Sequence, residues 1–154
     1  MLKLIDNRLQ AEVLFVLRAM GHGDTLVICD TNFPADSVAR QTAYGQLLRM
    51  DNLTCGQAAA AILSLLPLDT FVDDFAGRME VVGHPDQIEP VQAEVQAAID
   101  LAEGRSRKMV SIERFEFYER AKEAYAVIQT GERRFYGCFI FRKGVIPPDS
   151  SGSA

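Results

Sequence analysis

Thr25-Leu26-Val27-Ile28-Cys29 is a continuous apolar run bounded by Asp24 and Asp30. Such a run is typical of a strand that is covered on both faces, as in a parallel sheet. We therefore predict a central strand here, with His22 just before it and Asp30 just beyond its carboxyl end. Open α/β sheets bind ligands beyond the carboxyl ends of their strands, so a functional site is expected near this strand.

Helical and strand patterns alternate along the rest of the chain. The apolar spacing predicts helices at 9–20, 55–66, 90–104 and 114–124, and strands at 46–50, 71–72, 78–82, 109–112, 125–130 and 135–142. A capping box from Thr54 to Gln57 supports the second helix, and Gly21 is predicted to close the first in a left-handed conformation. The alternation predicts an α/β domain with a largely parallel sheet, to which the last two strands add an antiparallel C-terminal edge as a hairpin.

Length and composition indicate one globular domain. The chain has 154 residues, of which 48% are hydrophobic and 24% charged, and this size allows a core without disulfides. We predict a single domain at 1–146 and a flexible C-terminal tail at 147–154, because the tail is small, polar and led by proline. The longest apolar run, 58–66, is too short to span a membrane.

Charge and cysteine content argue against several classes of function. A net charge of -5 and a pI near 5.0 disfavour a nucleic-acid partner, and the basic segment 105–108 is interpreted as a solvated loop. Three widely spaced cysteines predict neither a disulfide framework nor a zinc site, and they favour a reducing, cytoplasmic location. Two histidines and scattered carboxylates fit no metal spacing, and no phosphate-binding or dinucleotide-binding motif occurs, so we expect no metal and no cofactor.

His22 is the strongest candidate for chemistry. Its flanking residues, Gly21 and Gly23, allow a tight loop, and an imidazole exchanges protons near neutral pH. With Asp30 close in sequence, His22 forms a minimal acid/base pair. The alternatives are a loop histidine that bonds only the backbone and an aspartate that only caps the following turn. The second histidine, His84, lies in a turn-forming context and is interpreted as a surface residue.

Further candidates come from distant segments. Arg114 and Tyr118 share one face of a predicted helix, either as ligand contacts or as part of a surface ion pair with a nearby glutamate. Strand alternation places Tyr136 and Cys138 on one face of the last strand. Tyr136 is either a core ring or a ligand contact, whereas Cys138 is interpreted as a structural thiol because no base lies close to it in sequence.

Three segments together resemble the ribose pyranase and fucose mutarotase family. They are Met20-Gly21-His22-Gly23-Asp24 with Asp30 and Phe33-Pro34, then Arg114-Phe115-Glu116-Phe117-Tyr118-Glu119-Arg120-Ala121, and finally Thr130-Gly131-Glu132 with Tyr136-Gly137 and Lys143-Gly144-Val145. Their order and spacing cover 1–147, and the second segment is similar to the fucose branch of the family.

The resemblance implies a three-layer α/β/α sandwich and a set of site residues. It makes His22 the proton donor. It places against the sugar the residues Asp30, Arg114, Tyr136 and Gly137, with Tyr118 or Tyr136 packed on the apolar sugar face. The resemblance also places Cys138 among the substrate-binding positions. The family usually has asparagine there, so a sugar hydrogen bond is lost or replaced. The resemblance also implies a homo-oligomer, since family members are often decameric rings with sites near subunit contacts.

The resulting hypothesis is a cytoplasmic mutarotase that interconverts the α and β anomers of L-fucose or a related monosaccharide by acid/base ring opening. No metal, nucleotide or covalent nucleophile is needed for that reaction. The alternative is a monosaccharide-binding or regulatory protein of the same fold without turnover, which the departure at Cys138 suggests. Aldose–ketose isomerisation is disfavoured because the sequence lacks metal ligands.

Overall fold

A six-stranded sheet forms the centre of the protein in the computed structural model, which describes residues 1–148. The strands are β1 Thr25–Cys29, β2 Leu47–Met50, β3 Ala76–Met79, β4 Val110–Ile112, β5 Ala126–Thr130 and β6 Phe139–Arg142. The helices are α1 Ala11–Ala19, α2 Ala35–Ala39, α3 Cys55–Leu63, α4 Pro90–Glu103 and α5 Arg114–Lys122. Most of the predicted tail, 149–154, lies outside the described residues.

β1 is a central strand with the predicted bounds. The sheet order is β2-β5-β1-β6-β3-β4, so β1 has a neighbour on each side. It pairs in parallel with β5 and antiparallel with β6, and the side chains from Leu26 to Cys29 are fully buried. The continuous apolar run therefore reflects burial on both faces of the sheet.

Helices cover both faces of this sheet. Along β1, Leu26 and Ile28 point into a core that includes residues of α1, α3 and α4, whereas Val27 and Cys29 point into a second core with residues of α2 and α5. This arrangement confirms the three-layer α/β/α sandwich. It also explains why the amphipathic helices alternate with short apolar strands in the sequence.

The C-terminal strand is antiparallel, as predicted, but its place in the sheet differs from the prediction. β5 and β6 do not form a hairpin, because β6 lies inside the sheet between β1 and β3. After β5 the chain crosses the carboxyl end of β1, where the amide of Thr31 donates to the carbonyl of Glu132 at 2.9 Å. It then returns along the other side of β1, so the connection at 131–138 wraps around Asp30.

Two local predictions are wrong, and side-chain hydrogen bonds explain one of them directly. Residues 71–72 form a turn instead of a strand, because Asp69 accepts a hydrogen bond from the amide of Phe71 at 3.2 Å. Gly21 does not take the left-handed conformation, which occurs at Gly23 with φ +88°. The capping box at Thr54 is present as predicted. The other elements form where expected, with ends shifted by a few residues.

Candidate functional site

A pocket of about 300 Å³ lies at the carboxyl edge of the sheet, where the parallel strands end. Its lining consists of Asp30, Asn32, Phe33, Met79, Arg114, Tyr118, Phe135, Tyr136 and Cys138. These residues follow β1, end β3, begin α5 or belong to the connection before β6. The fold thus brings together five of the predicted binding residues, and we call this feature the Asp30 pocket. Asn32, Phe33, Met79 and Phe135 were not singled out from the sequence.

Asp30 is buried and accepts hydrogen bonds through both carboxylate oxygens. Its Oδ1 accepts from the amides of Asn32 at 2.9 Å and Phe33 at 3.1 Å. The alternative that Asp30 caps this turn is therefore confirmed. Its Oδ2 accepts from the amide of Gly137 at 3.1 Å. The carboxylate consequently ties the end of β1 to the connection that carries Tyr136.

Gly137 lies directly behind Asp30 and needs to be a glycine. A Cβ at this position would lie 3.2 Å from the Cβ of Asp30 and 3.1 Å from the Cγ of Glu132. Next to it, the thiol of Cys138 is buried and donates to Asp30 Oδ2 at 3.6 Å. Burial and the nearby carboxylate of Asp30 raise the pKa of Cys138 well above its usual range. This protonated thiol has a structural role, in line with the sequence interpretation.

Tyr136 precedes β6 and has an unusual backbone conformation. Its φ is +62°, a region in which a residue other than glycine costs roughly 1–3 kcal/mol and which is often found at functional sites. Two hydrogen bonds hold the residue there. Gln92 Nε2 donates to its carbonyl at 3.2 Å, and its hydroxyl accepts from the amide of Val82 at 3.4 Å. The half-buried ring lines the Asp30 pocket and is not a fully buried core side chain.

The helix α5 supplies an aromatic wall and a cation. Tyr118 stacks on Phe33 with ring centroids 5.4 Å apart and planes inclined by 23°. Arg114, at the start of α5, is exposed and has no ion-pair partner within residues 1–148. The alternative of an ion pair with a nearby glutamate is not observed in the described residues, and Glu113 instead accepts from the amides of Phe115 and Glu116 and so caps the helix. The guanidinium of Arg114 is thus available to a ligand.

His22 lies in a short loop at the other edge of the sheet, which we call the amino edge. Its Nε2 is 3.1 Å from Oδ2 of Asp69, a nearly buried carboxylate, and its own side chain is 49% exposed. Lys143, which follows β6, holds the loop. Its carbonyl accepts from the amide of Gly23 at 2.8 Å, and its ammonium donates to two carbonyls at the end of α1. The histidine therefore bonds a carboxylate and not the backbone.

Asp69 was missed by the sequence interpretation. It lies 47 positions from His22 and two residues after the proline that ends the α3 region. No periodicity or motif marks it, because its role depends on a contact between two loops at one sheet edge. The only available signal was a carboxylate next to a proline turn, a pattern too common to single it out.

His22 and Asp30 lie at opposite ends of β1 within one chain. The strand between them has five residues and a length of about 16 Å at roughly 3.3 Å per residue. The lining of the Asp30 pocket does not include His22. The predicted acid/base pair of His22 and Asp30 within one chain is therefore wrong, and Asp69 is the carboxylate that orients the imidazole.

Neither a metal-binding cluster nor a membrane-spanning helix occurs within residues 1–148. Within residues 1–148, no cluster of three or more histidine, cysteine, aspartate or glutamate side chains has the geometry to hold a metal ion. None of the helices in that range is both long enough and apolar enough to cross a membrane.

The sequence and structure of the chain are similar to those of known proteins of one family. The model of the RbsD / FucU transport protein family matches residues 3–146. The human protein named fucose mutarotase is 45% identical over 151 residues, which cover 94% of each chain. Among solved structures, a protein called Atu2016 and described as a suspected sugar binding protein is 66% identical with a TM-score of 0.94, covering 96% of this chain and 97% of its own. The fucose mutarotase of Streptococcus pneumoniae, solved with L-fucose, is 34% identical with a TM-score of 0.84, covering 95% of this chain and 100% of its own.

Proposed function

Because the chain belongs to the RbsD / FucU transport protein family, we propose that it is an isomerase, a mutarotase that interconverts the α and β anomers of L-fucose. The observation that carries this proposal is the Asp30 pocket. A carboxylate, an arginine without an ion-pair partner in residues 1–148 and an aromatic wall enclose about 300 Å³, a size and chemistry that suit one monosaccharide. Relatives named fucose mutarotase and a solved fucose complex support L-fucose as the sugar.

The imidazole of His22 is suited to the proton transfers of this reaction. The anomeric hydroxyl must lose a proton and the ring oxygen must gain one, which gives an open aldehyde that recloses on either face. The carboxylate of Asp69 only accepts hydrogen bonds, so His22 Nε2 carries the hydrogen and Nδ1 is free to act as the base. Nδ1 takes the hydroxyl proton and returns it to the ring oxygen, while Asp69 stabilises the transient imidazolium.

The Asp30 pocket supplies complementary groups for the sugar. Asp30 Oδ2, whose bond to the Cys138 thiol is weak, can accept a hydrogen bond from a sugar hydroxyl. Arg114 donates to other hydroxyls, and the Tyr118 and Tyr136 rings offer apolar surface to the C–H face of the sugar. Gly137 allows the connection to approach Asp30 closely enough to form this wall.

We further infer that two copies of the chain complete each site. Since His22 and the Asp30 pocket lie at opposite edges of one sheet, one sugar cannot touch both within a chain. His22 is half-exposed beside Phe71, an aromatic side chain that is 76% exposed, so this edge offers an apolar surface for a second copy. The homo-oligomer and its decameric form are thus part of the proposal. The three buried free cysteines support a reducing, cytoplasmic location.

Anomer exchange measured by NMR saturation transfer tests the proposed activity. L-Fucose, D-galactose and D-ribose are each followed with and without the protein. We expect faster exchange for L-fucose, lost in His22→Ala and kept in His84→Ala, which removes the exposed second histidine. Both variants should fold. His84→Ala should unfold at the wild-type temperature because the side chain is exposed, whereas His22→Ala should unfold at a slightly lower temperature because it removes a hydrogen-bond partner of the nearly buried Asp69. No acceleration with any of the three sugars would refute the mutarotase proposal.

A second candidate function is sugar binding without turnover. It is favoured by Cys138, a side chain at the pocket that cannot replace the two donors of an asparagine amide. This candidate predicts saturable binding of L-fucose with unchanged rates of anomer exchange. The exchange experiment, combined with a titration followed by calorimetry, separates the two functions.

A further inference from the structure

A second and larger cavity of about 640 Å³ lies between α4 and the edge formed by β3 and β4. Arg78, in the middle of β3, forms part of its wall. Strand alternation directs Arg78 to the face of the sheet that carries α4, while its neighbour Met79 lines the Asp30 pocket on the other face. We call this feature the Arg78 cavity. None of the groups proposed to act on the sugar belongs to it.

Arg78 is a buried cation with an unsatisfied donor. The residue is only 5% exposed, and its Nη2 donates to the carbonyl of Pro85 at 2.7 Å. Its Nη1 is buried and has no hydrogen-bond partner within residues 1–148. Burial lowers the pKa of the guanidinium from its usual value, although Glu80 and Asp86 act in the opposite direction. An arginine in this condition is costly to the fold unless an acceptor approaches it.

Most of the other polar side chains around the cavity are already hydrogen-bonded, but the exposed carboxylate of Asp86 forms no hydrogen bond or ion pair within residues 1–148. Gln92 and Gln96 have both ends of their amides hydrogen-bonded to protein groups. Asp100 accepts from Gln96 within α4 and from Ser106 and Arg107 in the turn after it. In contrast, the ammonium of the exposed Lys108 forms no ion pair or hydrogen bond within the described range, 1–148. The unused donors of Arg78 and Lys108 therefore require an oxygen acceptor, and the carboxylate of Asp86 limits how much negative charge that acceptor can carry.

The shape and charge of the cavity restrict that anion further. Ile88 and Met109, together with alanines of α4, give it an apolar wall. Asp86 and Asp100 also face it, so a doubly charged phosphate would meet two carboxylates, whereas a singly charged group meets less repulsion. A planar carboxylate matches the fork of an arginine.

We propose that the Arg78 cavity binds a small organic monocarboxylate, with its carboxylate on Arg78 and Lys108 and its apolar body against Ile88 and Met109. This site is separate from the proposed sugar site, and its occupancy does not depend on whether the protein is a mutarotase. The volume of about 640 Å³ accommodates an aromatic or branched body with room for water.

Calorimetry on the full chain tests this site with three probes. Phenylacetate is the expected type of ligand, phenylacetamide is its neutral counterpart, and inorganic phosphate represents a compact, more highly charged anion. We expect saturable binding of phenylacetate with one molecule per chain, and binding at least about tenfold weaker for the other two probes. Methyl NMR signals of Ile88 and Met109 should shift during the phenylacetate titration.

Variants separate this site from general anion binding. Arg78→Met removes the buried charge with a side chain of similar length, and we expect it to weaken phenylacetate binding by about tenfold or more. It should fold, because an apolar group replaces a buried charge whose Nη1 has no partner within residues 1–148, although the hydrogen bond to the carbonyl of Pro85 is lost. Arg105→Met, the same change at an exposed arginine outside the cavity, should leave binding unchanged.

If Arg78→Met does not fold, Lys108→Met at the surface must weaken binding instead. Equal affinity for phenylacetate and phenylacetamide, absence of saturable binding, or wild-type affinity in the folded cavity variants would overturn the proposal.

Discussion

Cys138 lines the Asp30 pocket at a position where asparagine, usual in the family, would supply the two hydrogen-bond donors of its side-chain amide. Its thiol makes only a weak 3.6 Å contact with Asp30. Cys138→Asn should raise kcat/KM for L-fucose exchange by about two- to tenfold, because one added hydrogen bond contributes about 0.5–1.5 kcal/mol. Exchange NMR at several sugar concentrations measures this ratio. Cys138→Ala, which removes the thiol without adding donors, is the matched control, and equal loss of activity in both variants would contradict the prediction.

Asp69 determines which nitrogen of His22 is free to act as the base. In Asp69→Asn the amide can donate to Nε2, which moves the imidazole hydrogen to Nδ1 and removes the base. We expect L-fucose exchange to fall by about 100-fold, the scale of a general acid–base contribution. Asp73→Asn changes an exposed carboxylate of the same loop and should retain full exchange. An Asp69→Asn variant that folds and keeps wild-type exchange would show that the imidazole is oriented in another way.

Residue types were predictable from the sequence where the local pattern restricts them. Glycines on both sides of His22 and an aspartate at a strand end are visible in the chain, and so are Arg114 and Tyr118 four positions apart. The role of Asp69 was not predictable, because its contact with His22 joins two loops that are 47 positions apart in the sequence. The strained backbone of Tyr136 was not predictable for the same reason, since the hydrogen bonds that hold it come from Gln92 and Val82, which are distant in sequence.

Among the elements, the connection between β5 and β6 depends on one buried carboxylate. Glu132 accepts from the amides of Arg133 and Arg134 and from the amide of Cys55 at the start of α3. The side chain of Arg134 bonds both Glu132 and Glu94 of α4. These contacts anchor the connection to two helices and so position Tyr136 and Gly137 over Asp30.

This network predicts a loss of stability in acid. The hydrogen bond from Arg134 is the main reason why the pKa of Glu132 falls from 4.5 to about 2. A lowered pKa in the folded state stabilises the fold above pH 4.5, and this contribution disappears as the pH falls from 4.5 to about 2. Glu132→Gln should therefore lower the free energy of unfolding by about 2 kcal/mol at pH 7 and by much less at pH 2.

Thermal unfolding of Glu132→Gln and wild type at the two pH values measures this difference. Glu119→Gln removes an exposed glutamate that pairs with Lys122 on α5, and it should change stability little at either pH. A difference between Glu132→Gln and wild type that is the same at pH 2 and pH 7 would contradict the assigned role of the carboxylate.

Element positions followed from periodicity and caps, but some local conformations did not. The capping box at Thr54 begins α3 and the left-handed Gly104 ends α4, as their sequences indicate. The turn at 71–72 depends instead on a hydrogen bond to the side chain of Asp69 two residues earlier, and the left-handed Gly23 is held by Lys143, which is distant in sequence. Apolar spacing carries no information about such contacts.

At the scale of the whole molecule, the sheet order decides how the site is assembled. The fold class was predictable because alternating elements favour a layered α/β domain. The insertion of β6 between β1 and β3 was not predictable, since the eight-residue connection from β5 permits either a hairpin with β5 or a crossing of β1. Once β1 is central, its two ends define opposite edges. His22 and Asp69 then belong to the amino edge, and the sugar-binding groups to the carboxyl edge.

A site shared between copies predicts that inactive variants complement one another. His22→Ala lacks the base, and Arg114→Ala lacks a sugar contact at an exposed position, so each alone should show little L-fucose exchange. In mixed oligomers refolded from equal amounts, about one quarter of the sites should combine an intact His22 from one copy with an intact Arg114 from another. Exchange NMR should therefore recover about a quarter of wild-type activity.

An equal mixture of wild type with the double variant is the control, because a shared site again leaves about a quarter, whereas a site within one chain leaves about half. An inactive mixture of the single variants together with half activity in the control would place the whole site in one chain.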